Sequence, residues 1–264
     1  MTLEWDASEY EAVSAPQTSW GANLLKVFLE RGGLRGDEFV IDAGCGTGRV
    51  TELLLPHLRE GTVLAVDASE AMVRAARERF AGEPRVRVEH RDLLLLEVEE
   101  RVDVVFSTAT FHWIEDHERL FERLARILKP GGHLVAQCGG RGNIARTLGV
   151  IERVMGEDRF KDAFAGWERG WNFADPETTR TRLEAVGFEE VETWLHEEFT
   201  EFGSVDGLAR FLKTVVLRQH LTSLPEPKRD PFAAAVAARL AAGEEGLVVD
   251  YVRLNMLATR TVPA

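Results

Sequence analysis

The chain has 264 residues, of which 45% are hydrophobic and 29% are charged, and its formal net charge is −12. This length suits one large domain with a substantial buried core, and no apolar run approaches the roughly 18 residues that a membrane-spanning helix needs. The acidic balance argues against extended contact with nucleic acid or with an anionic membrane surface, because both contacts require a basic footprint. A small acidic substrate is compatible with it, since charges are screened beyond about 8 Å at cellular salt.

The first twenty residues are acidic and lack the apolar core of a signal peptide, so we expect a cytoplasmic protein. Cys45 and Cys138 are the two cysteines, and we expect both to be free thiols. Two cysteines by themselves cannot form a metal cluster, and no metal-ligand spacing stands out. We therefore predict no metal site.

Segments typical of strands and helices alternate from residue 19 to residue 138. In chain order they predict a helix over 19–31, a strand over 38–42, a helix over 49–58, a strand over 62–66, a helix over 69–80, strands over 85–89 and 102–107, a helix over 117–128, and a strand over 133–138. Alternation of this kind is typical of crossover units that build a parallel sheet. A Lys-Pro-Gly-Gly turn over 129–132 separates the last helix from its strand.

After residue 138 this alternation stops. Residues 139–175 predict helical pieces and loops, 176–186 a helix, 188–196 a strand, 204–242 mostly helix with an interruption at 224–227, and 247–260 a closing strand paired with the preceding one. The fold class predicted is α/β, a Rossmann-like and mostly parallel seven-stranded sheet with helices on both faces. We expect the segments 139–175 and 200–245 to form a helical lid over the carboxyl ends of the strands, where ligands of such sheets bind.

One domain is predicted over 1–264. It comprises an N-terminal helical cover over 1–35, a binding core over 36–138, the two lid segments, and a closing helix and strands over 176–199 and 246–264.

A glycine-rich turn follows the first predicted strand. Asp42 ends the strand, and Gly44, Gly46 and Gly48 alternate before the next helix. Such a loop lets a nucleotide-like cofactor approach the backbone at a helix N-terminus. The third glycine comes one residue too early for the G-x-G-x-x-G pattern of dinucleotide sites. Asp42 would repel a pyrophosphate and suits a ligand with a cation near the loop, such as the ammonium and sulfonium of S-adenosylmethionine, although a plain strand-to-helix turn remains the alternative.

Four motifs then occur in order: the glycine loop, Asp67 after the second strand, an Arg-Asp-Leu segment at 91–93, and the turn at 128–132. On these motifs the chain resembles class I S-adenosylmethionine-dependent methyltransferases over about residues 36–138 and the two late strands. Within that superfamily it resembles the trans-aconitate methyltransferase branch of small-molecule O-methyltransferases. The finer resemblance is carried by Trp5, Tyr10 and Ser14, by the segment 111–121, and by the strand 134–137.

The resemblance implies the cofactor S-adenosyl-L-methionine, with S-adenosyl-L-homocysteine as its product. Asp42 would bind the cofactor's ammonium, directly or through water. Asp67 would accept hydrogen bonds from both ribose hydroxyls, and Asp92 would accept one from the adenine amino group. The full implied set is Asp42, Gly44, Cys45, Gly46, Gly48, Asp67, Ala68, Met72, Arg91, Asp92, Leu93 and Thr108. Structural alternatives are a turn or cap role for Asp42, an N-cap for Asp67, core packing for Met72 and a solvated loop for Asp92.

For the methyl acceptor, the resemblance implies a small carboxylic acid of the trans-aconitate type. Arginines of the predicted lid could bind it, with Arg146 as the first candidate among Arg141, Arg146, Arg169, Arg210 and Arg218. Tyr10, Trp113 and Trp171 are candidate pocket walls, with core packing as the alternative. A carboxylate is already an anion at neutral pH, whereas an alcohol or phenol would need a base, for which His112 and His220 are the candidates.

Other functions remain open at this point. A nicotinamide-dependent oxidoreductase would share the fold logic and Asp67 but would leave Asp42 and the early third glycine unexplained. A regulatory protein that binds the cofactor without catalysis is a second alternative. Among methyltransferases, the alternative is O- or C-methylation of a natural-product precursor or a carrier-bound acyl group. We expect a small-molecule acceptor as partner, no nucleic acid, no membrane, and a monomer or weak homodimer.

Overall fold

The computed structural model describes residues 5–262. Its strands are β1 (Phe39–Ala43), β2 (Thr62–Asp67), β3 (Val86–His90), β4 (Val102–Thr108), β5 (Leu128–Gly139), β6 (Phe188–Glu201) and β7 (Val248–Arg260). They form one seven-stranded sheet in the order β3-β2-β1-β4-β5-β7-β6. Strands β1 to β5 pair in parallel, and β7 runs antiparallel to β5. The mostly parallel seven-stranded sheet predicted from the sequence is therefore confirmed.

The α-helices are α1 (Ala7–Val13), α2 (Ala15–Glu30), α3 (Arg49–Leu54), α4 (Glu70–Arg79), α5 (His117–Ile127), α6 (Ala145–Met155), α7 (Pro176–Ala185), α8 (Val205–Phe211), α9 (Arg218–Ser223) and α10 (Glu226–Ala241). Within the N-terminal helical cover predicted over 1–35, α1 was not predicted as a separate helix, because it spans only seven residues and buries none of them, so it leaves no apolar stripe in the sequence. Strand β5 begins five residues before the predicted start, because Leu128 already pairs with Val102 across a register shift.

Both faces of the sheet are buried, which explains why its strands read as continuous apolar runs. Neighbouring residues point to opposite faces, so Ile41 packs in a core that includes Phe121 of α5, whereas Val40 packs in a core that includes Phe28 of α2. Helices therefore cover both faces of the sheet, as predicted, and the candidate site lies at the carboxyl ends of its strands.

Two compact units are present within residues 5–262. The first, here the core unit, comprises residues up to 141 together with 172–196 and the residues from 253 onward, and the second unit comprises 142–171 and 197–252. The second unit contains most of the two segments predicted to form a lid, and that role stays a prediction. Among residues 5–262, no helix is long and apolar enough to cross a membrane.

Within the second unit, Asp250 provides the cap that the start of α6 lacks. Ile144 precedes this helix with a positive φ of 50° and no capping side chain. The Asp250 carboxylate instead accepts hydrogen bonds from the backbone N–H groups of Arg146 (2.7 Å) and Thr147 (3.1 Å) and from the Thr147 hydroxyl (2.6 Å). A distant carboxylate thereby satisfies the free N–H groups of the first turn.

Substitution of Phe121 would test the packing of the hydrophobic interior. Its side chain is fully buried and packs edge-on to Phe111, with ring centroids 6.2 Å apart. We expect Phe121→Ala to lower the free energy of unfolding by about 3–5 kcal/mol, from lost burial and the cavity left behind. The same substitution at Phe199, which is 58% exposed, should change it by less than about 1 kcal/mol. Urea denaturation followed by circular dichroism measures both, and equal losses would contradict the packing described.

Candidate functional site

The glycine loop between β1 and α3 has a left-handed backbone at each of its three glycines, with φ of 82°, 55° and 87° at Gly44, Gly46 and Gly48. A Cβ at Gly44 would overlap the Thr110 side chain, so this glycine is required by packing. A Cβ at Gly46 would meet nothing closer than the Tyr10 ring at 3.9 Å. Gly46 is thus the glycine whose backbone is open to an approaching ligand.

Asp67, at the end of β2, holds this loop in place. Its carboxylate accepts hydrogen bonds from the backbone N–H groups of Gly46 (2.9 Å) and Ser69 (2.8 Å). The alternative role as N-cap of α4 is wrong, because the Ser69 hydroxyl fills that position by accepting from the N–H of Met72. Burial raises the pKa of Asp67 above its ordinary value. Each carboxylate oxygen can still accept a further hydrogen bond, which is what binding to two ribose hydroxyls would require.

Asp42 lies fully buried on β1, where the Thr51 hydroxyl donates a 2.5 Å hydrogen bond to one of its oxygens. Burial raises the pKa of Asp42 to about 7, and the negative charge of Asp67 adds to this effect. A carboxylate in this position is destabilised until a positive charge comes close. Asp42 is therefore suited to a cationic ligand, in line with the reasoning from its sequence position.

A small cleft opens at the carboxyl ends of β1 and β4 in the core unit. It brings together six residues that were predicted from the sequence, namely Tyr10, Asp42, Gly44, Cys45, Gly46 and Thr108. It also contains six that were not, namely Ser14, Gln17, Thr18, Thr47, Arg49 and Val50. Most of the additional residues come from the N-terminal helices and from the start of α3.

Glu11 of α1 explains how the N-terminal helices reach the cleft. Its carboxylate accepts hydrogen bonds from the Thr47 hydroxyl and from Arg79 (2.5 Å), and its backbone carbonyl accepts one from Arg49 (2.9 Å). These contacts join positions 36 to 68 residues apart in the sequence. The only sequence signal for them was the resemblance carried by Trp5, Tyr10 and Ser14.

On the adenine side of the predicted site, backbone contacts join the ends of β2 and β3. The Arg91 N–H donates to the Asp67 carbonyl (3.0 Å), while the exposed Arg91 side chain pairs with Glu89. Asp92 is exposed and caps a short 3₁₀ turn by accepting from the N–H of Leu94 (2.8 Å), and the turn's first residue, Leu93, is buried. One Asp92 oxygen has a capping role, and the other is placed for a ligand donor.

Two further predicted residues border this side of the site. Met72 is buried on α4, which matches the core-packing alternative, and Ala68 is half-buried with its carbonyl 2.9 Å from the His90 ring.

His112, one of the two candidate bases, is buried in the core unit, and its Nδ1 accepts a 3.3 Å hydrogen bond from the Gly139 N–H. This contact requires the tautomer that carries its proton on Nε2. Burial and the nearby Arg253 guanidinium lower the pKa of His112 well below its ordinary value. The neutral ring thus presents a donor and not a base, which argues against the catalytic role predicted for it. Trp113 follows it and packs edge-on to Trp5, with ring centroids 5.7 Å apart.

The second unit contains the other candidate base, His220. Its ring stacks on Trp167 at 4.4 Å and lies 5.8 Å from the Trp171 ring, and burial lowers its pKa to about 4. A base this weak is poorly matched to taking a proton from an alcohol at neutral pH.

Arg146, in the same unit, does not present an open anion site. Its guanidinium pairs with Glu245 (2.9 Å) and donates to the Val248 carbonyl. The prediction that Arg146 binds the acceptor is therefore not supported by the arrangement of its own side chain. Arg141 and Arg169 are likewise paired, with Asp175 and Glu152.

In the part of the chain that the structure describes, no three side chains of His, Cys, Asp or Glu are grouped so that they could bind a metal ion. Both cysteines are buried and unpaired by disulfide, and burial raises the pKa of each thiol. Neither is therefore a thiolate nucleophile at neutral pH.

Comparison with known proteins shows which family has sequences similar to this chain. A family model described as a methyltransferase domain matches residues 40–132. Trans-aconitate 2-methyltransferase of Methylobacterium nodulans is 30% identical over 98% of this chain and 99% of its own length. The chain belongs to the S-adenosylmethionine-dependent methyltransferases, in the trans-aconitate methyltransferase branch.

The same branch is represented by trans-aconitate 2-methyltransferase of Sinorhizobium medicae, which is 29% identical over 98% of the methyltransferase chain and 99% of its own length. Among solved structures, phosphoethanolamine N-methyltransferase 2 of Haemonchus contortus in complex with S-adenosyl-L-methionine aligns with a TM-score of 0.62 at 19% identity. That alignment covers 97% of this chain and 57% of the other, and it supports the fold alone.

The buried carboxyl of Asp42 makes the stability of the ligand-free methyltransferase depend on pH. Its pKa of about 7 in the folded protein lies above the value near 4 of an unfolded chain, so the folded state binds an extra proton between these values. Stability should therefore fall as pH rises from 4 to 7. Asp42→Asn cannot lose a proton, and its free energy of unfolding relative to wild type should rise by about 4 kcal/mol across this window.

Urea denaturation of both proteins at pH 5 and pH 8, without cofactor, should show about 3 kcal/mol of this rise, because the remainder occurs below pH 5. An unchanged difference between the two pH values would mean that Asp42 is ionised throughout and that its burial is compensated within the fold.

Proposed function

We propose that this methyltransferase transfers a methyl group from S-adenosylmethionine to a carboxylate of a small carboxylic acid of the trans-aconitate type, giving a methyl ester. The observation that carries the proposal is the similarity over nearly the whole chain to relatives named for that reaction. That similarity extends beyond the matched methyltransferase domain, which ends at residue 132, and covers 98% of the chain.

We propose that the residues lining the cleft and its rim bind the cofactor S-adenosylmethionine. Bound S-adenosylmethionine would supply an electrophilic methyl group to a carboxylate oxygen, with S-adenosylhomocysteine as the leaving group. The open backbone at Gly46 would admit the methionine portion, Asp42 would face its positive charge, and Asp67 would accept the ribose hydroxyls. Asp92 and Leu93 would bind the adenine, beside Met72.

The absence of a competent base among the two candidate histidines supports an acceptor that needs none. A carboxylate with an ordinary pKa near 4 is ionised at neutral pH, so the protein has only to orient it and exclude water, which can supply roughly 7–11 kcal/mol of the barrier. His112 is held neutral with its proton on Nε2, and the pKa of His220 lies at about 4. Methylation of an alcohol or phenol would need a stronger base than either.

For the acceptor pocket, we keep Tyr10 and Trp113 as proposed walls in the core unit, and the role of Trp171, in the second unit, stays a prediction from the sequence. Arg146 leaves the proposal because its guanidinium already pairs with Glu245. A natural-product precursor or a carrier-bound acyl group is not favoured as the acceptor, because the relatives reported above are named for methylation of trans-aconitate. We further propose a cytoplasmic monomer or weak homodimer whose partner is a small molecule, not nucleic acid or membrane.

The acceptor class is tested by methyl transfer from S-[methyl-³H]adenosylmethionine to a panel of mono-, di- and tricarboxylic acids, phenols and alcohols. We expect label only with a carboxylic acid that carries several carboxylates, and we expect mild base to release it as volatile tritiated methanol, because esters hydrolyse in base. Base-stable label in a phenol or an alcohol would show an ether product and contradict the proposal.

A second prediction concerns His112. His112→Asn keeps an acceptor for the Gly139 N–H, so the fold around it should survive, and kcat should fall by less than about tenfold because no proton needs to be removed. Loss of a true general base would lower kcat by about 10²–10⁴-fold. Steady-state kinetics from pH 6.5 to 8.5 on this variant and on His220→Asn decide the question: a loss of that size, with a changed pH profile, would identify a base.

A further inference from the structure

A buried arginine of the core unit lies at the same edge of the sheet as the cleft. Arg253 is on β7, opposite Gly139 at the end of β5, and it is only 1% exposed. Burying a guanidinium is costly, because the charge loses its contact with water. Ligand pockets commonly contain a few charged groups placed in this way, which orient the ligand.

The side chain of Arg253 reaches the face of the sheet that α2 covers. The central carbon of its guanidinium lies 4.2 Å above the ring of Trp20 on that helix, and its Nε donates a 3.4 Å hydrogen bond to the side chain of Gln137. Gln137 pairs with Thr108 across β5 and β4, and Thr108 lines the cleft. One strand, β5, therefore separates the strand of Arg253 from the strand that borders the cleft.

Helix α2 contacts both places. Trp20 lies beneath the Arg253 guanidinium. The next residue, Gly21, is packed so closely on β4 that a Cβ on it would be 3.4 Å from the Thr108 hydroxyl. Because consecutive Cα atoms are only about 3.8 Å apart, the guanidinium and the wall of the cleft are neighbours.

The positive charge of Arg253 acts on groups at this edge. Together with burial it lowers the pKa of His112, and it counteracts the rise that burial causes in the pKa values of Tyr10 and Cys138. Tyr10 is itself a wall of the cleft. An aromatic ring and an amide oxygen, the two contacts described above, orient a guanidinium without neutralising it. The positive potential therefore extends to the cleft.

Two neutral donors accompany this charge. His112 accepts a hydrogen bond at Nδ1 from the Gly139 N–H, which leaves its proton on Nε2. Burial raises the pKa of Tyr10 above its ordinary value, so its hydroxyl keeps its proton at neutral pH. A guanidinium, an imidazole N–H and a phenol hydroxyl can all donate hydrogen bonds, and one of the three carries a positive charge.

A carboxylate is the ligand group that suits this set of donors. Arginine binds carboxylates through two parallel hydrogen bonds, because its planar fork matches their shape. At the glycine loop, by contrast, the acidic side chains of Asp42 and Asp67 favour a positive charge. The site is therefore polarised, with acids on the side of β1 and β2 and a guanidinium on the side of β5 and β7.

An acid of the trans-aconitate type has several carboxylates, and one transfer methylates only one of them. A guanidinium bound to the reacting carboxylate would withdraw charge from the oxygen that attacks the methyl group. Bound to a second carboxylate, it orients the acid without weakening the nucleophile, and binding energy from non-reacting groups serves catalysis in this way. Arg253 is thus suited to a carboxylate that is not methylated.

We propose that Arg253 determines specificity for the acceptor: its guanidinium binds a carboxylate that is not methylated, while the Tyr10 hydroxyl and the His112 Nε2–H donate to the bound acid. This inference rests on the proposed acceptor class and names the side chains that select it. No sequence motif indicated Arg253, which lies outside the two predicted lid segments. It takes the role expected for Arg146, whose guanidinium pairs with Glu245.

The test separates acceptor binding from cofactor binding. Steady-state kinetics with trans-aconitate give KM and kcat, and isothermal titration calorimetry gives the affinity for S-adenosylhomocysteine. Arg253→Met should raise KM for trans-aconitate by about 100-fold, through loss of a bidentate charge-assisted pair. It should change kcat by less than about tenfold and the S-adenosylhomocysteine affinity by less than about threefold, because the cofactor residues are untouched.

Two further variants keep the test independent of a folding defect. Arg253→Lys keeps the charge without the planar fork, so KM should rise by only about tenfold. Tyr10→Phe removes one donor and should also raise KM by about tenfold. The matched control is Arg260→Met on the same strand, whose guanidinium donates to the Ala125 carbonyl at 3.0 Å; it should leave KM within about twofold of wild type.

A loss of S-adenosylhomocysteine affinity in both Arg253 variants would assign the guanidinium to the cofactor or to the fold and would overturn the proposal. An unchanged KM would overturn it too, as would a loss confined to kcat, which would place the guanidinium at the reacting carboxylate. A wild type that methylates no carboxylic acid would contradict the proposed function as well. Methylation by wild type together with a normal KM in Arg253→Met would contradict this inference alone.

Discussion

The hydrogen bond from the Gly46 N–H to the Asp67 carboxylate is the contact on which the site depends, because it ties the glycine loop after β1 to the end of β2. The same carboxylate shapes the turn into α4 through Ser69. One side chain thereby fixes two loops that meet at the carboxyl edge of a parallel sheet, where α/β proteins bind their ligands. With the loop held in this way, Gly46 exposes its backbone and Asp42 faces the cleft behind it.

Buried acceptors give this cleft its selectivity. Asp42 lies out of contact with water, and its pKa of about 7 reflects the cost of keeping a charge there. A ligand that brings a positive charge relieves that cost, whereas an anion increases it. The cleft therefore suits the positive charge of the proposed cofactor, in a protein whose net charge is −12.

The candidate bases and the candidate arginine show why side-chain chemistry alone did not assign the acceptor site. His112, His220 and Arg146 have suitable functional groups, but their surroundings change what those groups can do. A backbone N–H fixes the tautomer of His112, burial makes His220 a weak base, and Glu245 neutralises Arg146. Each of these partners lies far from the residue in sequence, and no local pattern indicates them. These surroundings support the proposed acceptor, a carboxylate that is already ionised and needs no base.

The sequence by itself determined the seven-stranded sheet, the helices on its faces, and the placing of Asp42, Asp67 and the glycine loop at strand ends, because hydrophobic periodicity and glycine spacing are local properties. It did not determine the bounds of helix α1 within the predicted N-terminal cover, or the hydrogen bonds of Glu11 to Thr47, Arg49 and Arg79. Those depend on contacts between positions 36 or more residues apart, and the pairing that buries or satisfies a polar group appears only when distant segments pack together. The tertiary structure therefore decided which polar side chains already have hydrogen-bond or ion-pair partners within the fold.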